Sequence, residues 1–212
     1  MNCRNCAAPM ELFDRRRYYA CRYCGTFEFL DTPGTDGVHV LERKAEALPC
    51  PLCAAPLAKS LLDDTHVIEH CEKCRGVLLE RAVFAMAVNG RRARAAGPGL
   101  PLAEIDQREF HRRVTCSKCR TTMDVHPYYG PGNVVIDTCR QCDLVWLDFG
   151  ELQQIADAPG LDRGRPAAAQ AASNVAPVDS RVSPLDLVDG LSMVDGGGSV
   201  VGMLLDLFDG CG

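Results

Sequence analysis

The sequence predicts a small, metal-stabilised, β-rich protein, and three observations predict it. Twelve of its thirteen cysteines fall into six C-x-x-C pairs. Aromatic residues make up only 6 % of 212 positions, with a single Trp, so large side chains for an ordinary core are scarce. Short β-branched or alternating runs, bounded by Gly, Pro and Asp, lie between the pairs as they do in hairpins. Composition also excludes alternatives. Thirteen Cys in 212 residues fall below the roughly 8–10 % of a short secreted disulfide scaffold. No apolar stretch reaches the ~18 residues of a membrane span. The start, Met1-Asn2-Cys3-Arg4-Asn5-Cys6, carries no apolar signal segment, so a secreted protein is not expected.

The pairs group in twos. Cys3/Cys6 and Cys21/Cys24 are separated by 14 residues, Cys50/Cys53 and Cys71/Cys74 by 17, and Cys116/Cys119 and Cys139/Cys142 by 19. This spacing reads as a four-thiolate zinc site, and it occurs three times, which predicts three Zn2+ ions. A C-x-x-C knuckle turns tightly enough to aim both sulfurs at one ion, and a short hairpin brings the second knuckle to the first. Disulfides are the competing reading, and a lattice of pairs without a signal segment fits a reducing cytoplasm better. Iron in a rubredoxin-like site uses the same ligands. Four thiolates around Zn2+ leave a charge of −2 per site. Arg4, Arg22, Lys73, Arg75, Lys118, Arg120 and Arg140 sit in or beside the knuckles and are expected to compensate it.

The elements follow in order. The first zinc ribbon spans 1–31: Met10–Phe13 and Tyr18–Ala20 read as strands, Asp14–Arg17 as their turn, and Thr26–Leu30 as a third strand. Asp31–Gly37 reads as a linker. The second ribbon spans 48–90. Its hairpin is Leu57–Leu62 and His66–Glu69, turned by Asp63-Asp64-Thr65, and a helix from Arg81 should stop at Asn89-Gly90. Residues 91–101 read as a second linker. The third ribbon spans 114–157, with strands Thr122–Val125 and Val134–Asp137 about a turn at Tyr129–Asn133. Asp148-Phe149-Gly150-Glu151 has the form of a capping box that opens a short helix running to Asp157. The second knuckles of ribbons two and three align without a gap, which predicts an internal repeat. Residues 158–183 read as a disordered Ala/Pro/Ser-rich linker. Residues 184–212 are an acidic, apolar tail. The stretch 174–212 holds six Asp and one Arg, so it carries the whole formal charge of −5. Its apolar residues either pack on the same chain or dock a partner. Cys211 lies there, outside any ribbon.

The third unit resembles the TFIIB-type zinc-ribbon family, whose mark is a knuckle continuing as C-x-x-C-x-G-x-W-L-D-x-G-E-L. Cys139, Cys142, Trp146, Leu147, Asp148, Gly150, Glu151 and Leu152 match it, and Leu144 replaces the family glycine. The second unit resembles a degenerate copy. It keeps Cys50, Cys53, Cys71, Cys74, Gly76 and Leu79, and has Leu78 for the Trp. The resemblance implies a ribbon fold and zinc, and it does not imply a process. Trp146 is read as a cover for the knuckles, with Asp148 and Glu151 as helix caps.

Two catalytic patterns fail on physical grounds. His66-Val67-Ile68-Glu69-His70 spells a zinc-peptidase H-x-x-E-H. In a β-branched strand, however, its histidines lie about 13 Å apart at roughly 3.3 Å per residue. Pro49-Cys50 and Cys53 give half of a deaminase signature, but four cysteines close the shell that a catalytic zinc must leave open. The resulting expectation is a non-enzymatic, cytoplasmic interaction module, built on structural zinc and binding a protein. Neither a membrane nor a small-molecule substrate is expected. The alternative is a nucleic-acid or transcription-machinery binder, with Arg15-Arg16-Arg17 beside Tyr18-Tyr19 and the linker Arg91-Arg92-Ala93-Arg94 as its contacts.

Overall fold

Each expected hairpin forms, and the units then combine in a way their spacing does not reveal. In the computed structural model, which describes residues 1–165, β1 (Glu11–Phe13), β2 (Tyr18–Ala20) and β3 (Phe27–Phe29) make a three-stranded antiparallel sheet. All later strands join one seven-stranded sheet. They are β4 (Val38–Glu42), β5 (Ala58–Leu62), β6 (His66–His70), β7 (Val77–Glu80), β8 (Asp124–Pro127), β9 (Val135–Cys139) and β10 (Leu144–Leu147). Their order is β4-β5-β6-β7-β10-β9-β8. The described residues belong to one compact body. The tail 184–212, Cys211 and the linker beyond Arg165 lie outside the described residues.

The second and third units are therefore not separate beads. β7 pairs antiparallel with β10, Leu78 opposite Trp146 and Val77 opposite Leu147. Both strands are apolar on both faces, so neither is stable as an edge, and each covers the other. Val38–Glu42, just past the expected linker, adds β4 to β5.

Alternation along these strands creates two cores. Val77, Leu79, Val145 and Leu147 point to one side, where they meet Phe84, Val88, Leu152 and Ile155 of α1 (Arg81–Arg94) and α2 (Glu151–Asp157). Leu78 and Trp146 point to the other side, among Cys50, Cys71, Cys74, Cys116 and Cys139.

α1 runs through Asn89-Gly90 to Arg94, past the stop the sequence suggested. The reason is tertiary. Arg92 is 1 % exposed and donates to the carbonyls of Ile155 (2.7 Å) and Ala158 (2.9 Å) while pairing with Asp162. A guanidinium from α1 thereby satisfies the orphan carbonyls that end α2. No helix among the described residues is long and apolar enough to cross a membrane.

Candidate metal centres

The six knuckles share one backbone solution. In five of them the first Cys N–H donates to the carbonyl five residues on, as in Cys3 to Ala8 (2.8 Å), Cys50 to Ala55 (2.7 Å) and Cys116 to Thr121 (2.8 Å). The residue after each second Cys is left-handed: Ala7 (φ 61°), Gly25 (φ 66°), Ala54 (φ 57°), Arg75 (φ 56°), Arg120 (φ 65°) and Asp143 (φ 52°). Only one of the six is Gly, so the tight turn is held against side-chain sterics at five positions.

These turns bring the twelve cysteines together as the sequence predicts. Cys3, Cys6, Cys21 and Cys24 form one group, Cys50, Cys53, Cys71 and Cys74 a second, and Cys116, Cys119, Cys139 and Cys142 a third, with the sulfurs of each within 4.8 Å of one another. Cross-knuckle Sγ···Sγ distances are 3.5 Å for Cys3–Cys24, 3.4 Å for Cys6–Cys21, 3.6 Å for Cys50–Cys74, 3.5 Å for Cys53–Cys71 and 3.5 Å for Cys119–Cys139. A tetrahedron with Zn–S bonds of about 2.3 Å has sulfurs roughly 3.8 Å apart, whereas a disulfide brings them to about 2.05 Å. All twelve thiols are free. The three groups fit three zinc ions, each with a complete protein shell, and the ion supplies folding energy there.

Backbone and hydroxyl groups donate toward several of the sulfurs. The Asn5 N–H lies 3.4 Å from Cys3 Sγ, and those of Leu52 and Cys53 lie 3.4 Å from Cys50 Sγ. The Thr26 hydroxyl, 3.1 Å from Cys24 Sγ, lowers that thiol to about 5. Thr121 at 3.0 Å lowers Cys119 to about 6. The knuckle cations behave differently from the expectation. Arg4 pairs with Glu28, Arg22 with Glu11 and Arg140 with Asp124, while Arg75 lies over the Phe29 ring at 4.2 Å. Among the described residues Lys73, Lys118 and Arg120 make no ion pair and are exposed.

Trp146 is fully buried between the second and third metal groups. A Cβ on Gly76 would sit 2.2 Å from its ring, so this glycine of the second unit makes room for the tryptophan of the third. Half of the expected capping box forms: Glu151 accepts from the Asp148 N–H at 2.8 Å. The Asp148 side chain is drawn elsewhere, to Trp146 Nε1 (2.9 Å) and to Arg112.

Sequence reasoning missed the buried ionic cluster around this point. Arg112 bridges Asp137 and Asp148. Arg16, 10 % exposed, crosses from the first unit to Glu109 (2.7 Å) and Glu151 (3.0 Å). Burial pushes the Asp137 carboxyl up to about 6 and that of Glu151 well above the usual range, against the pull of the guanidiniums. The basic run proposed as a nucleic-acid contact is largely used here. Arg16 is inside the cluster, Arg17 pairs with Asp31 at 2.9 Å, and Arg15 donates to the Pro101 carbonyl. Arg91–Arg94 are helical, and Arg91 and Arg94 pair with Asp63 at 2.7 and 3.0 Å. No sequence signal distinguishes an arginine aimed inward from a solvated one when both sit in polar turns. His66–His70 lies in strand β6, as its β-branched centre requires.

A four-thiolate pair of knuckles on a three-stranded hairpin sheet, followed by a short helix, defines a zinc ribbon. Residues 115–158 match the model of the family described as "Transcription factor zinc-finger", the TFIIB-type zinc ribbon. The match covers the segment that carries the hallmark residues from Cys139 to Leu152. No curated protein and no solved structure matches the chain.

Proposed function

We propose that this chain is a non-enzymatic interaction module of the cytoplasm, with structural zinc holding surfaces that bind another protein. The carrying observation is that each four-cysteine group closes its shell with four thiolates, which leaves no position for water or substrate. The clustered acids and arginines of the interior are likewise engaged with one another. The second and third units are read as copies of one ribbon, joined through β7 and β10. Capture with the zinc-loaded full chain should retain a saturable protein partner, and chelation should release it. A zinc ion with an exchangeable water ligand, or a hydrolytic activity lost on chelation, would contradict the reading.

Lys73, Lys118 and Arg120, exposed and unpaired at the knuckles, favour a second reading as a nucleic-acid binder. It predicts DNA or RNA binding that weakens steeply with salt and loses about one unit of salt slope per lysine or arginine removed. Binding that is insensitive to Lys118→Ala and Arg120→Ala would count against it.

A further inference from the structure

We infer that the first unit is a zinc-locked plug, and that losing its ion uncovers a preformed acidic–aromatic face on the third unit that accepts an arginine beside an aromatic side chain. The unit has its own three-stranded sheet and contributes no strand to the larger one. Its buried core is Cys3, Met10 and Cys21, flanked by Ala8, Tyr19 and Cys24. Half of that core is metal ligand, so once the ion leaves the unit keeps chiefly the aromatic patch of Phe13, Tyr18, Phe27 and Phe29 and the contacts of Arg16 to hold it in place. Its metal group is also the one with an exposed ligand, Cys6. The ligands of the other two groups are buried or half-buried. A chelator therefore reaches this ion first.

The plug is specific. Arg16 inserts between Glu109 and Glu151, and its backbone lies so close to Gly150 (φ +85°) that a Cβ there would approach Arg16 Cα to 3.1 Å. Tyr18 and Phe29 enclose Phe149, with ring centroids at 6.1 and 4.8 Å. The receiving face does not depend on the plug for its shape. Trp146, Arg112 and the Asp148 backbone hold Asp148 and Glu151 from within the third unit and the segment preceding it. With Arg16 withdrawn, Glu109, Asp137, Asp148 and Glu151 share the single guanidinium of Arg112, and Phe149 loses Tyr18 and Phe29 and keeps Arg75 over its ring, at 5.6 Å. Such a face calls for a cation next to an aromatic ring, the pair that Arg16 and Tyr18 supply within the chain. This deepens the interaction-module reading by naming a surface. Failure to capture a partner would sink that reading and leave the plug intact.

The test uses the zinc-loaded full chain, limiting EDTA, alkylation by N-ethylmaleimide and hydrogen exchange followed by mass spectrometry. The expected first product holds two zinc ions and is alkylated at Cys3, Cys6, Cys21 and Cys24. Amides 148–153 then exchange at least about tenfold faster while β9 and β10 stay protected. A synthetic peptide of residues 13–20 should restore that protection, and the same peptide with its three arginines changed to Ala should not. The double variant Cys3→Ser/Cys6→Ser should carry two zinc ions and show the same exposure without chelator. Loss of all three ions together, first alkylation in either other group, unchanged exchange at 148–153 with the first unit open, or failure of the peptide to restore protection would each overturn the proposal.

Discussion

At the level of single residues, the six left-handed turns behind the knuckles are the clearest trace of what the metal demands. Ala7 and Ala54 adopt φ of 61° and 57°, a conformation that costs an L-residue about 1–2 kcal/mol. Replacing both with Gly should raise the stability of the zinc-loaded protein by about 1 kcal/mol, offset in part by the freer unfolded chain. Denaturation at fixed free zinc checks this, and a loss of stability would show that the methyl groups pack usefully. Gly76 carries the opposite demand. A methyl there would lie 2.2 Å from Trp146, so Gly76→Ala should cost at least about 1–3 kcal/mol by overpacking. The double variant with Trp146→Leu should recover part of that loss, and additivity of the two costs would refute the pairing. The left-handed positions are barely legible in the sequence, because five of the six are Ala, Arg or Asp. The glycine at position 76 stands out in the sequence, but its partner in another unit does not.

Among the elements, two arginines that read as solvated hold the interior together. Arg16 ties the first unit to α2 through Glu151, and Arg92 leaves α1 to cap α2. Arg92→Ala should destabilise the protein by about 1–3 kcal/mol, since it removes the donor to the carbonyls of Ile155 and Ala158. The expected sign is a lowered thermal midpoint with unchanged metal content. Glu151 makes the pH dependence testable. Its carboxyl is raised in the folded state, chiefly by burial. Its contribution to stability is therefore whole below the unfolded value of about 4.3 and is lost as pH rises through the higher folded value. Glu151→Gln removes the ionisation, so the stability of this variant relative to the parent should increase as pH rises above the unfolded value of about 4.3 at fixed free zinc. A difference that stays flat or falls as pH rises would contradict the assignment. The hairpins, their turns and α2 were readable from alternation and turn residues. The extension of α1 was not, because Asn89-Gly90 is a local stop overridden by contacts 60 or more residues away in sequence.

For the whole molecule, metal compensates for a modest apolar core, but not uniformly. The four-cysteine groups, including the one that sits alone in the first unit, were readable from spacing. The merger of the second and third units was not. It depends on β7 and β10 covering each other, and a strand apolar on both faces states only that it needs a neighbour, not which one. The outcome is one sheet with a helix-covered core on one side and two metal groups packed around Trp146 on the other. Full chelation should therefore unfold the metal side first and expose Trp146, seen as a red shift of its fluorescence. A chelated protein that kept its Trp emission and amide dispersion would show that the helix-side core suffices. Three closed four-sulfur zinc centres organise this chain. X-ray absorption at the zinc edge, with native mass spectrometry on the same sample, tests this most directly. The expected result is three zinc ions per chain and a shell of four sulfurs at about 2.3 Å. Fewer than three ions, oxygen or nitrogen in the shell, or a mass showing that the cysteines are joined as disulfides would contradict it.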